Sequence, residues 1–95
     1  MTKKIIISQE RRYYSEPGIL EEWSNTVATD VATGKQITDH IPDYIWDDVG
    51  NLRMPKLFKR YVKDYIYDYD NKKEAKFLSG RVLPDGNLEF VVKYI

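Results

Sequence analysis

The sequence predicts an α+β fold, in which a small antiparallel β-sheet of about four or five strands carries two or three helices packed on one face. Alternating or β-branched stretches near both ends of the chain indicate the sheet, and apolar residues at helical spacing in between indicate the helices. Apolar residues make up 42% of the 95 and charged residues 32%, the mixture of an ordinary globular domain. We therefore expect one globular domain over residues 1–95.

The clearest predicted element is a C-terminal hairpin over residues 77–94. Its two apolar runs flank the turn sequence Pro-Asp-Gly-Asn at 84–87, where proline presets φ and glycine accepts a positive φ. Three isoleucines within residues 4–9 predict an N-terminal strand, and alternation of valine and threonine predicts a further hairpin over residues 25–38.

Three stretches have the spacing of helices, and each has a proline near its start. They cover residues 15–23, 41–49 and 56–65. Residues 66–69 either continue the third helix or, because apolar and polar residues alternate there, form a strand.

An acidic stripe is predicted on the second helix. Asp39, Asp43 and Asp47 recur every four residues, and Trp46 lies at the edge of their face. A tryptophan beside carboxylates is typical of an interface anchor, so Trp46, Asp43 and Asp47 are candidate partner-binding residues. The commoner interpretation is a solvated face, and a third is that the stripe pairs with bases of the same chain.

A basic arc is predicted on the third helix, spanning about 100° opposite the apolar face, with Tyr67 projecting into it. Its members are Lys56, Lys59, Arg60 and Lys63, and Arg53, just before the helix, joins them as a candidate contact. Bases beside an aromatic ring are typical of phosphate and nucleic-acid surfaces, although a solvated outer face is commoner. The formal net charge of zero argues against nucleic acid, since such domains are usually basic overall.

Composition removes most catalytic chemistry. The chain has no cysteine, which excludes disulfides, thiol nucleophiles and thiolate metal sites. Its five glycines are scattered singly and form no phosphate-binding loop, and its one histidine belongs to no recognisable triad. His40 stands near Asp39 and Asp43 at no established ligand spacing, so we predict no metal site, no cofactor and no enzymatic activity.

We therefore predict a non-catalytic protein-binding or regulatory module, such as an inhibitor, an immunity-type protein or an adaptor. The alternative is a nucleic-acid-binding protein that uses the basic arc. A second copy of the chain is also an allowed partner. The longest apolar run near the N-terminus has three residues, too few for a secretory signal or a membrane span, so the prediction is a cytoplasmic protein without membrane contact.

Overall fold

A computed structural model describes residues 2–95, which form one curled antiparallel sheet of five strands. The strand order is β3-β2-β1-β5-β4, so β3 and β4 are the two edges. The strands are β1 (Thr2–Glu16), β2 (Ile19–Asp30), β3 (Gln36–Ile41), β4 (Ala75–Val82) and β5 (Leu88–Tyr94).

The helical residues lie between β3 and β4. A single turn, α1 (Ile45–Asp48), is followed by α2 (Met54–Leu57), which continues as a π-helical turn over Phe58–Val62 and a 3₁₀ turn over Lys63–Tyr65. Residues 2–95 contain no helix with the length and apolar character that crossing a bilayer requires.

The predicted α+β fold is wrong, because the molecule is mostly β. Strands hold 53% of the residues and helical turns 17%, in place of two or three packed helices. The largest error lies at residues 15–23, where Pro17 and Gly18 form the turn between β1 and β2. Gly18 has a φ of 87°, a conformation that a helix excludes and that the second central residue of a type II turn requires.

The other two predicted helices are present only in part. Residues 41–49 contain one α-helical turn. Residues 56–65 are helical but irregular, because the Lys63 N–H donates to the Phe58 carbonyl five residues earlier. Residues 66–69 contribute neither a helix nor a named strand, but only an isolated bridge between Asp68 and Lys73.

The predicted hairpins are observed. β4 pairs with β5 and β2 pairs with β3, both antiparallel. The N-terminal strand exists too, but it extends through Glu16 instead of ending near Gln9.

The core lies between the concave face of the sheet and the helical turns. Its centre is a cluster of three phenylalanine rings. The ring centroid of Phe58, in the π-helical turn, lies 5.6 Å from that of Phe77 and 5.5 Å from that of Phe90. Ile5 and Ile7 of β1 and Ile45 of α1 are fully buried around it. The helical turns therefore cover one half of this face of the sheet and leave the other half uncovered.

Candidate functional site

The uncovered part of the sheet is a two-stranded arm, residues 10–25, which we call the β-arm. β5 pairs with β1 only through Ile7, and β3 pairs with β2 only from Thr26 onwards, so residues between these points have no third strand beside them. The molecule is accordingly 50 Å long, and its radius of gyration of 14.5 Å exceeds the value of about 12 Å for a compact chain of this length.

The β-arm exposes an unusual number of large apolar side chains to solvent. Every residue from Tyr13 to Ser24 is exposed, including Leu20 at 75%, Tyr13 at 64% and Trp23 at 43%. Tyr14 and Ile19 are exposed as well. Five such side chains within twelve residues form a concentration of apolar surface of the kind that marks interaction sites.

The strand register distributes these side chains over both faces of the β-arm. Tyr13 pairs with Glu22 and Ser15 with Leu20, which puts Tyr13 and Leu20 on the face that continues the core side of the sheet. Tyr14, Ile19 and Trp23 therefore lie on the opposite face. A partner must surround the arm to cover both faces.

The charges of the β-arm are mostly paired within it. Arg11 lies 3.7 Å from Glu22, and Arg12 lies 3.3 Å from Glu10. Near the tip the Tyr14 hydroxyl donates to Glu16, and this hydrogen bond raises the pKa of Tyr14. With four glutamates against two arginines, the arm has a formal charge of −2.

The acidic stripe meets the sheet instead of facing solvent as a unit. The buried hydroxyl of Thr26 donates to Asp43 Oδ1 at 2.6 Å and accepts from Trp46 Nε1 at 2.9 Å. Trp46 is half-buried and packs against the core. Through these contacts Asp43 and Trp46 hold α1 against β2. Among the predicted residues of the stripe, only Asp47 is exposed and makes no such contact.

Asp48, which directly follows the acidic stripe in sequence, connects the stripe with the basic arc. Asp48 accepts a hydrogen bond from the Tyr61 hydroxyl, and Arg60 lies 3.7 Å from the same carboxylate oxygen. The hydrogen bond to Asp48 is the main cause that raises the pKa of Tyr61. Part of the opposed charge seen in the sequence is thus paired inside the molecule.

The basic arc is not continuous. Arg60 turns towards Asp48, whereas Lys59 and Lys63 line a cleft against β4. Lys56 is exposed, and Arg53 precedes α2 as its N-terminal flanking residue.

Tyr67 lies away from these bases. It follows the 3₁₀ turn, and its ring contacts that of Tyr69 edge to face at a centroid distance of 4.8 Å. Both rings line an open cleft of about 500 Å³ together with Lys3 and Tyr94. The structure therefore does not bring together the predicted set of Tyr67 and the basic arc.

The histidine has a simple local contact. His40 Nε2 lies 3.3 Å from Asp39 Oδ1, and its side chain is exposed. Within residues 2–95, no three residues of the types His, Cys, Asp and Glu come together in an arrangement that fits a metal ion.

No protein-family model, curated protein or solved structure matches this chain.

Proposed function

We propose that the protein is a protein-binding module that inserts its β-arm into an apolar cleft of a partner protein. The observation that carries this proposal is the exposure of Tyr13, Leu20 and Trp23 on both faces of a ribbon that contributes nothing to the core. Aromatic and aliphatic side chains of this kind dominate the energy of protein interfaces once they are enclosed.

The charge of the β-arm specifies the partner further. A formal charge of −2 repels nucleic acid and anionic membranes, and it favours a cleft with a basic rim. Both arginines have a glutamate of the arm within 4.0 Å, which leaves Glu16 and Glu21 near the tip as acids without an ion pair among the described residues. The partner surface we expect is thus apolar at its floor and positive at its entrance.

The first test is capture from a lysate of the source cells, followed by calorimetric titration of the captured and purified protein. Leu20→Ser and Trp23→Ser are each expected to weaken binding at least tenfold, because truncating an enclosed anchor costs more than about 1.4 kcal/mol. Val82→Ser is the matched control, since Val82 is similarly exposed but lies on β4, outside the arm.

Thermal unfolding of each variant separates a lost contact from a lost fold. Capture of no protein, or a captured partner that binds both arm variants within twofold of the unchanged chain, would refute the proposal. So would a complex that Val82→Ser weakens as much as Leu20→Ser does.

A further inference from the structure

A second surface, distant in the fold from the β-arm, lies where the helical turns approach edge strand β4. It is a cleft of about 330 Å³, which we call the basic groove. Phe58, Phe77 and Ile95 contribute apolar lining, and three lysines line it as well: Lys59, Lys63 and Lys76.

The backbone of β4 is available for pairing beside this groove. Glu74 and Ile95 exchange two hydrogen bonds, from the Glu74 N–H to the Ile95 carbonyl at 3.2 Å and in the reverse direction at 3.1 Å. Hydrogen-bonded and non-hydrogen-bonded pairs alternate along an antiparallel ladder. Ala75 and Phe77 therefore direct their N–H and carbonyl groups away from β5, towards the edge of the sheet. Ala75 is buried, so the groups that a partner can reach are those of the half-buried Phe77.

The charge of the basic groove is only partly compensated. Lys63 lies 3.7 Å from Glu74, which supplies the one side-chain carboxylate among the lining residues. Within the described chain, Lys59 and Lys76 have no carboxylate oxygen within 4.0 Å. Two uncompensated cations thus flank an apolar floor and an unpaired strand edge.

We propose that the basic groove binds an extended acidic peptide segment of another protein, which adds to β4 as a sixth strand. The free N–H and carbonyl groups of Phe77 supply main-chain hydrogen bonds, and the phenylalanine floor takes apolar side chains on one face of the added strand. Lys59 and Lys76 attract carboxylates on the peptide. This surface is independent of the β-arm, and either proposal stands if the other fails.

The probe for this proposal is a fluorescein-labelled seven-residue peptide of alternating glutamate and valine, titrated with the intact chain and followed by fluorescence anisotropy. Binding is expected at low salt and is expected to weaken as the salt concentration rises, because exposed charges are screened. A peptide of alternating lysine and valine is expected not to bind.

Methylation of the peptide backbone distinguishes strand addition from charge attraction alone. Two otherwise identical acidic peptides carry N-methyl groups, one at its odd positions and the other at its even positions. In one of the two peptides, the backbone N–H groups that face β4 are therefore blocked. One of the two is expected to lose at least tenfold in affinity while the other binds as the unmethylated peptide does. Equal affinity of all three peptides would overturn the proposal, as would the absence of binding at millimolar peptide.

Charge reversal on the protein locates the site. Lys59→Glu combined with Lys76→Glu is expected to weaken the acidic peptide about tenfold or more, whereas Lys35→Glu, in the turn between β2 and β3, leaves its affinity unchanged. Other occupants give distinct results, each contrary to the proposal. A single-stranded DNA oligonucleotide that displaces the peptide indicates a nucleic-acid site, and sedimentation as a dimer that Lys59→Glu dissociates indicates a second copy of this chain.

Discussion

Thr26 is the residue on which the attachment of α1 to the sheet depends. Its hydroxyl is buried on the inner face of β2, where it joins the carboxylate of Asp43 to the indole of Trp46. The acidic stripe of the sequence therefore contains two residues that fix a short helix, which cannot persist as a single turn without such contacts.

Replacing Thr26 with valine removes both hydrogen bonds and conserves the shape of the side chain. Thr26→Val is expected to lower the free energy of unfolding by about 1–2 kcal/mol, since the half-buried Trp46 N–H loses its acceptor. Urea denaturation measures the change. Thr29→Val is the control, because Thr29 is on the same strand and its hydroxyl makes no hydrogen bond within the described residues. Equal stability of the Thr26 variant and the unchanged chain would contradict this role.

Tyr61 gives the molecule a dependence on alkaline pH. Its pKa is raised above the ordinary value, first by the hydrogen bond that its hydroxyl donates to Asp48. A raised pKa in the folded state stabilises the fold below the unfolded value of about 10, and this contribution disappears as the pH rises through the folded value.

The unchanged chain is therefore expected to be more stable than Tyr61→Phe at pH 8, and the difference is expected to narrow above about pH 10. Denaturation series at several pH values measure it. A difference that stays constant through pH 11 would assign the effect of Tyr61 to packing alone.

At the scale of elements, the close approach of the helical turns to the sheet depends on Gly80. A Cβ atom at this position of β4 would lie 2.8 Å from a ring carbon of Phe90 and 3.2 Å from Cβ of Met54. The glycine therefore permits the start of α2 to cross β4 directly above the phenylalanine cluster.

Gly80→Ala is expected to destabilise the protein by about 1–3 kcal/mol, because the added methyl group overpacks this crossing. Gly50→Ala is the matched control, since a Cβ at Gly50 meets no heavy atom within 4 Å. The measurement is the difference in unfolding free energy between the two variants. An equal loss of unfolding free energy in the two variants would contradict the prediction, because it would show that α2 and β4 accommodate the added methyl group.

The elements also show where sequence patterns fail. The C-terminal hairpin was predictable because its turn residues and its alternation agree. In residues 15–23, Ile19 and Trp23 fit a helical face, but they fit one face of a strand equally well, and Gly18 directly after Pro17 indicates the turn. Spacing alone does not decide between the two when no core is there to receive the apolar side chains.

The prediction of a continuous basic arc is wrong for a different reason. A helical wheel shows which bases share one side of a helix, but it does not show that Arg60 lies against Asp48 while Lys59 and Lys63 line a cleft against β4. These are contacts with other parts of the chain, so the local pattern could not predict them.

At the scale of the whole molecule, the chain consists of a core and a projecting ribbon. The formal charge of zero conceals this division, since the β-arm is acidic and the basic groove, beside edge strand β4, is positive. The two surfaces therefore favour partners of different charge. Neither was among the predicted sites as a unit. The β-arm is a hairpin in a stretch whose spacing predicted a helix, and the basic groove brings the helical turns against β4, which is distant from them in sequence.

The role of the β-arm is best measured by removing it. Replacing residues 11–24 with Asn-Gly closes Glu10 to Asn25 through a two-residue hairpin turn and leaves the core residues in place. Calorimetric titration of the captured partner with this shortened chain is the decisive measurement, and thermal unfolding checks that the core remains folded. We predict a folded chain that no longer binds the partner, and a folded chain that binds it with unchanged affinity would contradict the proposed function.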